Sequence, residues 1–197
     1  MDYDHRREFF DHHAPHWDEN YPPDIYRQAV EAIESLMLKP GEIILDLGCG
    51  SGVLLPILRE MTGDDNSVFG IDFSTGMLSR IPSEYRRNVI CADAASIPFP
   101  DSFFDRVIAF AAFPHFNRRE QTISEVFRVL KRRGKFYVIH LLSSEELKTH
   151  HRHAGAPVKD DLLPPPEHFQ KILGDAGFEV VKITDNPGLY IMEAFRK

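Results

Sequence analysis

Cysteine is nearly absent. The only two, Cys49 and Cys91, are too few and too far apart in sequence for a disulfide framework or a Cys-x-x-Cys site. Long apolar runs are missing as well: Gly41 to Leu47 and Val107 to Phe113 are among the longest, far short of the ~20 residues of a membrane helix. Met1-Asp-Tyr-Asp-His-Arg-Arg7 has no apolar signal region behind it, so the expected location is cytoplasmic, with no membrane partner. Positive charge is in deficit. Against 30 Asp and Glu stand 23 Lys and Arg, a formal net charge of −7, and the field of the whole molecule opposes phosphate backbones. The basic pairs, such as Arg86-Arg87 and Arg118-Arg119, are short and dispersed, which argues against nucleic acid as a partner. No repeat, low-complexity tract or linker interrupts the 197 residues, which are read as one domain with a core of its own.

What is present is an alternation of strands and helices. Asp24 to Leu38 carries apolar residues at helical spacing and is stopped by Lys39-Pro40-Gly41. Strands are predicted at Glu42 to Leu47, Val68 to Asp72, Asn88 to Ala92, Phe104 to Phe110 and Gly134 to Leu142, with helices at Val53 to Met61, Ser74 to Ile81 and Arg118 to Leu130. That order argues a parallel sheet covered on both faces. A helix over Glu167 to Ala176 precedes Phe178 to Ile183 and Leu189 to Phe195, joined by only Thr184 to Gly188; so short a connection requires a hairpin with one antiparallel strand. Residues 1 to 23 read as a short helix around Arg7 to His12 followed by a loop.

Asp46-Leu-Gly48-Cys-Gly50-Ser-Gly52 lies between the first of these strands and a helix, so backbone can approach a ligand closely at a helix N-terminus. A dinucleotide fingerprint would need glycine or alanine where Val53 stands, and no Gly-Lys-Ser/Thr follows, which disfavours NAD, FAD and nucleoside triphosphates. Asp72 ends the second strand, where a carboxylate can accept hydrogen bonds from ribose hydroxyls, and Asp93 follows the third. Acids at the carboxyl ends of successive strands suit an adenosine-like, cationic ligand better than a polyphosphate.

On these residues the chain resembles the class I S-adenosylmethionine-dependent methyltransferases. Ile43-Ile-Leu-Asp-Leu-Gly-Cys-Gly-Ser-Gly52 is similar to their first motif and Val68-Phe-Gly-Ile-Asp-Phe-Ser74 to their second. Ala92 to Val107 resembles the third and fourth, and Glu125 to Gly134 the approach to the fifth strand, with Arg132-Arg133 where Pro-Gly is usual. The stretch from Asp93 to Asp105 is similar to the small-molecule subgroup that includes ubiquinone and menaquinone methyltransferases. The resemblance implies a three-layer Rossmann-like α/β fold with a seven-stranded, mostly parallel sheet of order 3-2-1-4-5-7-6. It implies S-adenosylmethionine as cofactor, contacted by Asp46, Gly48, Cys49, Gly50 and Gly52, by Asp72 at the ribose, and by Phe73, Met77, Asp93 and Ala94 around the adenine. Phe110 and Ala111 would lie beneath the sulfonium, and residues 1–23 would form a lid over the site.

The family has no universal catalytic residue. His115, after the fourth strand, is the candidate general base for a small-molecule acceptor, against the plainer account of a loop histidine bonded to backbone. Tyr3, Phe10, Trp17 and Tyr21 in the lid, with His115 and His140, are candidates to pack that acceptor. Residues 143–166 read as an insertion bordering the site; Glu146 and His150, four apart, share a helix face and with His140, His151 or Asp160 can complete a site for a divalent transition metal. The plainer account is a solvated polar loop. Three functions stay open: methyl transfer to a small molecule, a metal-assisted version of it, and non-catalytic binding of the cofactor by a partner protein, favoured by Ala111-Ala112 lacking an acid or amide at the reaction end.

Overall fold

The computed structural model describes residues 3–20, 24–64, 66–154 and 156–197. Seven strands form one sheet: β1 (Ile44–Leu47), β2 (Val68–Asp72), β3 (Val89–Cys91), β4 (Phe104–Phe110), β5 (Leu130–His140), β6 (Phe178–Asn186) and β7 (Leu189–Arg196). Their order is β3-β2-β1-β4-β5-β7-β6, as the resemblance implies. β7 alone runs against its neighbours β5 and β6. The hairpin is tighter than Thr184 to Gly188, since β6 and β7 pair as far as Asn186 with Leu189 and leave Pro187-Gly188 as the turn.

The central strands are buried on both faces because alternate side chains feed two cores. Leu45, Leu47, Val107, Ala109, Phe136 and Val138 pack with Ile123 and Val126 of α5 (Arg119–Val129) and Phe169 and Leu173 of α7 (Pro166–Asp175). Ile44, Ile108, Tyr137 and Ile139 pack with Ala29 and Ile33 of α2 (Ile25–Glu34) and with Leu54, Leu55 and Leu58 of α3 (Leu54–Thr62).

The N-terminal segment is more regular than expected. α1 (Tyr3–His13) runs on into a 3₁₀ stretch, Ala14–Asn20, where the sequence predicts a loop. Phe10 and Ala14 drive this: they bury against Met77 of α4 (Thr75–Arg80) and against Val158, a tertiary contact that local propensity does not encode. β5 likewise starts at Leu130 rather than Gly134, because Leu130 pairs with Phe104 before the register shifts and resumes at Arg106 with Lys135. Arg133 takes a left-handed φ of 64° inside that irregularity. The 143–166 segment holds α6 (Ser144–Ala154), which carries both Glu146 and His150.

Candidate functional site

Parallel strands end together at one edge of the sheet, and β1 and β2 deliver Asp46 and Asp72 there. The chain then turns sharply, with Gly48 N–H and Cys49 N–H both bonded to the Ile71 carbonyl at 2.8 and 3.0 Å. Gly48 adopts φ +78°, and a Cβ there would lie 2.6 Å from the Ala112 Cβ and 3.3 Å from the Phe116 ring. Both backbone conformation and the turn after β4 therefore require glycine.

Asp72 organises the loop. One carboxylate oxygen accepts the Gly50 N–H at 2.9 Å, the other the Ser74 N–H at 2.8 Å. Ser74 caps α4, its hydroxyl accepting from Met77 N–H at 3.1 Å. Burial pushes Asp72 up to about 6 despite those donors. Asp46 is pushed to about 8, by burial first and by the charge of Asp72 second. Two buried carboxyls that repel each other's ionised forms create a place where a cation is favoured. The neighbouring Cys49 thiol is raised for the same reasons, burial foremost, which makes it an inert packing group.

The N-terminal segment closes over this edge. Asp11 accepts from the Ser74 hydroxyl at 2.6 Å and the Gly76 N–H at 2.7 Å, and Ser51 donates to Asp18 at 2.6 Å. Phe10 meets Phe73, Trp17 and His115 edge-on, with ring centroids at 5.8, 5.6 and 5.2 Å. Phe73 and Met77 thus face protein aromatic surface from α1. Tyr21 lies outside the described residues, as does the side chain of Tyr3. Asp93 holds the Ala95 N–H at 2.8 Å and is paired with Arg118, while Ala94 is half-buried against the core. Phe110 is buried; Ala111 is exposed in a left-handed turn at φ 52° with its N–H bonded to Ile139 O.

His115 has a partner that sequence reasoning missed. Its Nδ1 is 2.7 Å from the carboxylate of Asp161, which is 2% exposed. Arg6 of α1 clasps the same carboxylate with two guanidinium nitrogens. Burial opposes ionisation of Asp161, but the His115 and Arg6 bonds outweigh it and hold the carboxyl below its usual range. From the sequence the neighbouring Asp160, and not Asp161, is the candidate. It is exposed, and the Asp160-Asp161 pair offers no local signal to tell which faces inward.

The metal reading is corrected by where its residues go. Glu146 accepts from Ser143 N–H and Gly188 N–H, both at 2.8 Å, as a cap of α6 and a tie to the β6–β7 turn. His150 is exposed on α6; His151 turns inward, its Nδ1 on the Asp161 carbonyl. His140 is 2% exposed at the end of β5, with Nε2 unpartnered among the described residues and burial lowering its pKa to about 3. Among the described residues no group of three or more His, Cys, Asp or Glu is placed to hold a metal ion. Such an imidazole is too weak a base for neutral pH, and of the two candidate histidines only His115 is oriented by a carboxylate.

A cavity of about 340 Å³ adjoins this network, bounded by Phe116, Arg119, Glu120, Asp160, Asp161 and Arg6 among others. Among the described residues no helix is long and apolar enough to cross a membrane.

Comparison with known proteins finds a family described as "Methyltransferase domain" matching residues 45–138. The chain is 34% identical over 113 residues to a demethylmenaquinone methyltransferase from Symbiobacterium thermophilum, covering 54% of this chain and 45% of that protein. It spans about half the length of the first curated relatives it matches. Among solved structures, an Aquifex aeolicus S-adenosylmethionine-dependent methyltransferase superposes with a TM-score of 0.69 at 22% identity, covering 100% of both chains. Magnesium protoporphyrin IX methyltransferase from Synechocystis PCC 6803, with S-adenosylhomocysteine bound, gives 0.70 at 20% identity and 97% of each chain.

Proposed function

We propose that the chain is a class I S-adenosylmethionine-dependent methyltransferase, a reading supported by the methyltransferase-domain match over residues 45–138 and by the similarity to a demethylmenaquinone methyltransferase, and that it transfers a methyl group from this cofactor to a small-molecule acceptor. The observation that carries the reading is the pair of buried carboxyls, Asp46 raised to about 8 and Asp72 to about 6, flanking the glycine loop. A donor bearing an ammonium and a sulfonium relieves that repulsion, whereas a polyphosphate worsens it. Bound there, S-adenosylmethionine supplies a methyl group already activated by its positive sulfur.

The chain's own residues then have three tasks. Asp46 and the backbone of Gly48 to Gly52 hold the amino-acid end. Asp72 takes the ribose hydroxyls, its bonds to Gly50 and Ser74 presetting the carboxylate. Phe73 and Met77 pack the adenine, with Asp93 and Ala94 at its edge, and Phe110 and Ala111 border the reacting end. The N-terminal segment excludes water, Phe10 of α1 packing edge-on against both Phe73 and Trp17.

His115 acts as general base. An ionised carboxylate only accepts hydrogen bonds, so Asp161 keeps the hydrogen on His115 Nδ1 and the lone pair on Nε2. Nε2 removes the proton of an oxygen or nitrogen acceptor as the methyl group arrives, and in-line alignment supplies the remainder.

Calorimetric titration with S-adenosylhomocysteine, alongside Asp72→Ala, tests the cofactor site: tight binding lost in the variant is expected. Methyl-labelled cofactor incubated with a small-molecule extract then separates an enzyme from a protein that merely binds. Absence of binding, or binding with no label ever transferred, ends the enzymatic reading.

A further inference from the structure

The cavity beside the His115–Asp161 pair carries an uneven charge arrangement. Arg119 begins α5, where a cation adds to the positive end of the helix rather than offsetting it. Its guanidinium donates to the Pro114 carbonyl at 2.8 Å, and among the described residues it forms no ion pair. Its neighbours differ: Arg6 is matched by Asp161 and Arg118 by Asp93. Burial is the main influence on Arg119 and disfavours its charge. A half-buried, planar, five-donor cation with one bond made, facing a cavity of about 340 Å³, is a receptor for a planar anion.

The acids nearby narrow the class of anion. Asp161 is already neutralised by Arg6 and also occupied by the hydrogen bond to His115. Glu120 and Asp160 are exposed at the rim and repel a multiply charged group more than a singly charged one. A monocarboxylate meets both conditions; a dianionic phosphate does not. The volume is at the small end of ligand cavities, roughly 300–1,000 Å³. Phe116 lines the cavity and its ring also stands 3.3 Å from where a Gly48 Cβ would be, so one aromatic ring is the wall shared with the glycine loop.

We infer that this cavity is the acceptor subsite and takes a small monocarboxylic acid, its carboxylate held by Arg119 and its remainder directed past Phe116 toward the glycine loop. The assignment of the cavity to an acceptor rests on the methyl-transfer reading; the carboxylate specificity rests on Arg119 alone.

The test uses the full chain and ligand-observed NMR with matched probes: propanoate and benzoate, their amides propanamide and benzamide, and inorganic phosphate, each with and without S-adenosylhomocysteine. At least one carboxylate is expected to bind ten-fold or more tightly than its amide and than phosphate. That preference should vanish in Arg119→Ala and return in part in Arg119→Lys, with melting curves confirming that both variants fold. Carboxylates that bind no better than their amides, a preference that survives Arg119→Ala, or phosphate binding as tightly overturns the inference. S-adenosylhomocysteine binding in the same samples separates the two readings: if it fails while the carboxylate preference holds, the methyl-transfer reading is lost and the anion site stands.

Discussion

His115 Nδ1 and the Asp161 carboxylate meet at 2.7 Å across 46 residues of sequence, and the contact sets which imidazole nitrogen is free. Asp161 also binds Arg6 of the N-terminal helix. One buried carboxylate therefore joins the covering segment to the candidate base.

That arrangement predicts activity. His115→Gln should lower kcat by about 10²–10⁴-fold, the range of a lost general base, while S-adenosylhomocysteine binding is unchanged. Asp161→Asn should reproduce part of the loss and alter the pH profile of kcat/KM, because an amide no longer dictates the tautomer. An unaltered kcat in His115→Gln would return His115 to a structural role.

The same carboxylate predicts stability. Asp161→Ala strands the Arg6 guanidinium in a buried place and should cost about 3–5 kcal/mol in urea unfolding. Combining it with Arg6→Met should recover much of that loss, since no unpaired charge remains. Additive single effects would show the pair is uncoupled.

The pH dependence follows from Asp46. Its folded-state pKa of about 8 exceeds the unfolded value of about 3.9, so the folded protein binds the extra proton and stability falls as pH rises between them. Below about 6.5, His140, lowered to about 3, acts in the opposite sense, because the unfolded state then binds more protons. From pH 8 down to 6.5 the melting temperature of the ligand-free protein should therefore rise. Asp46→Asn should flatten that slope.

Trp17 is the chain's single tryptophan and reports on the covering segment. A Cβ at Gly76 would lie 2.8 Å from the Asp11 Cα and 3.0 Å from its carbonyl oxygen, both backbone. Gly76→Ala should push α1 away and shift Trp17 emission to the red, with the sheet still cooperative in thermal melts. Asp11→Ala removes two hydrogen bonds without adding volume and should give a smaller shift in the same direction.

Arg133 occupies a left-handed conformation at φ 64° in the irregularity near the start of β5. Arg133→Gly relieves roughly 1–2 kcal/mol of backbone strain and adds about 0.5–1 kcal/mol of unfolded-state freedom. A net gain of about 0.5–1 kcal/mol, read as a higher urea midpoint, is expected. A loss would mean that the Arg133 side chain holds the irregularity in place.

The order of the strands in the sheet came only from the family resemblance, whereas the strands themselves, the glycine turn and the acids at the ends of β1 and β2 were legible in the residues. Each is a local event: a β-branched run, a turn that needs left-handed backbone, and a carboxylate where a parallel strand stops. Helix limits were legible within a few residues for the same reason. The extent of α1, the early start of β5 and the partners of His115 were not. They depend on Phe10 reaching Met77, Leu130 reaching Phe104, and Arg6 and His115 converging on Asp161 rather than Asp160. The histidine and acid spacing in α6 was compatible with a metal site, and only tertiary packing turned Glu146 toward the β6–β7 turn and His151 toward the Asp161 carbonyl. Periodicity and turn chemistry are written within a few residues of each other, so sequence alone determines the scaffold and its ligand edge. A buried ion pair forms between segments whose meeting depends on every other packed contact, so the tertiary structure decides which polar side chains become a site.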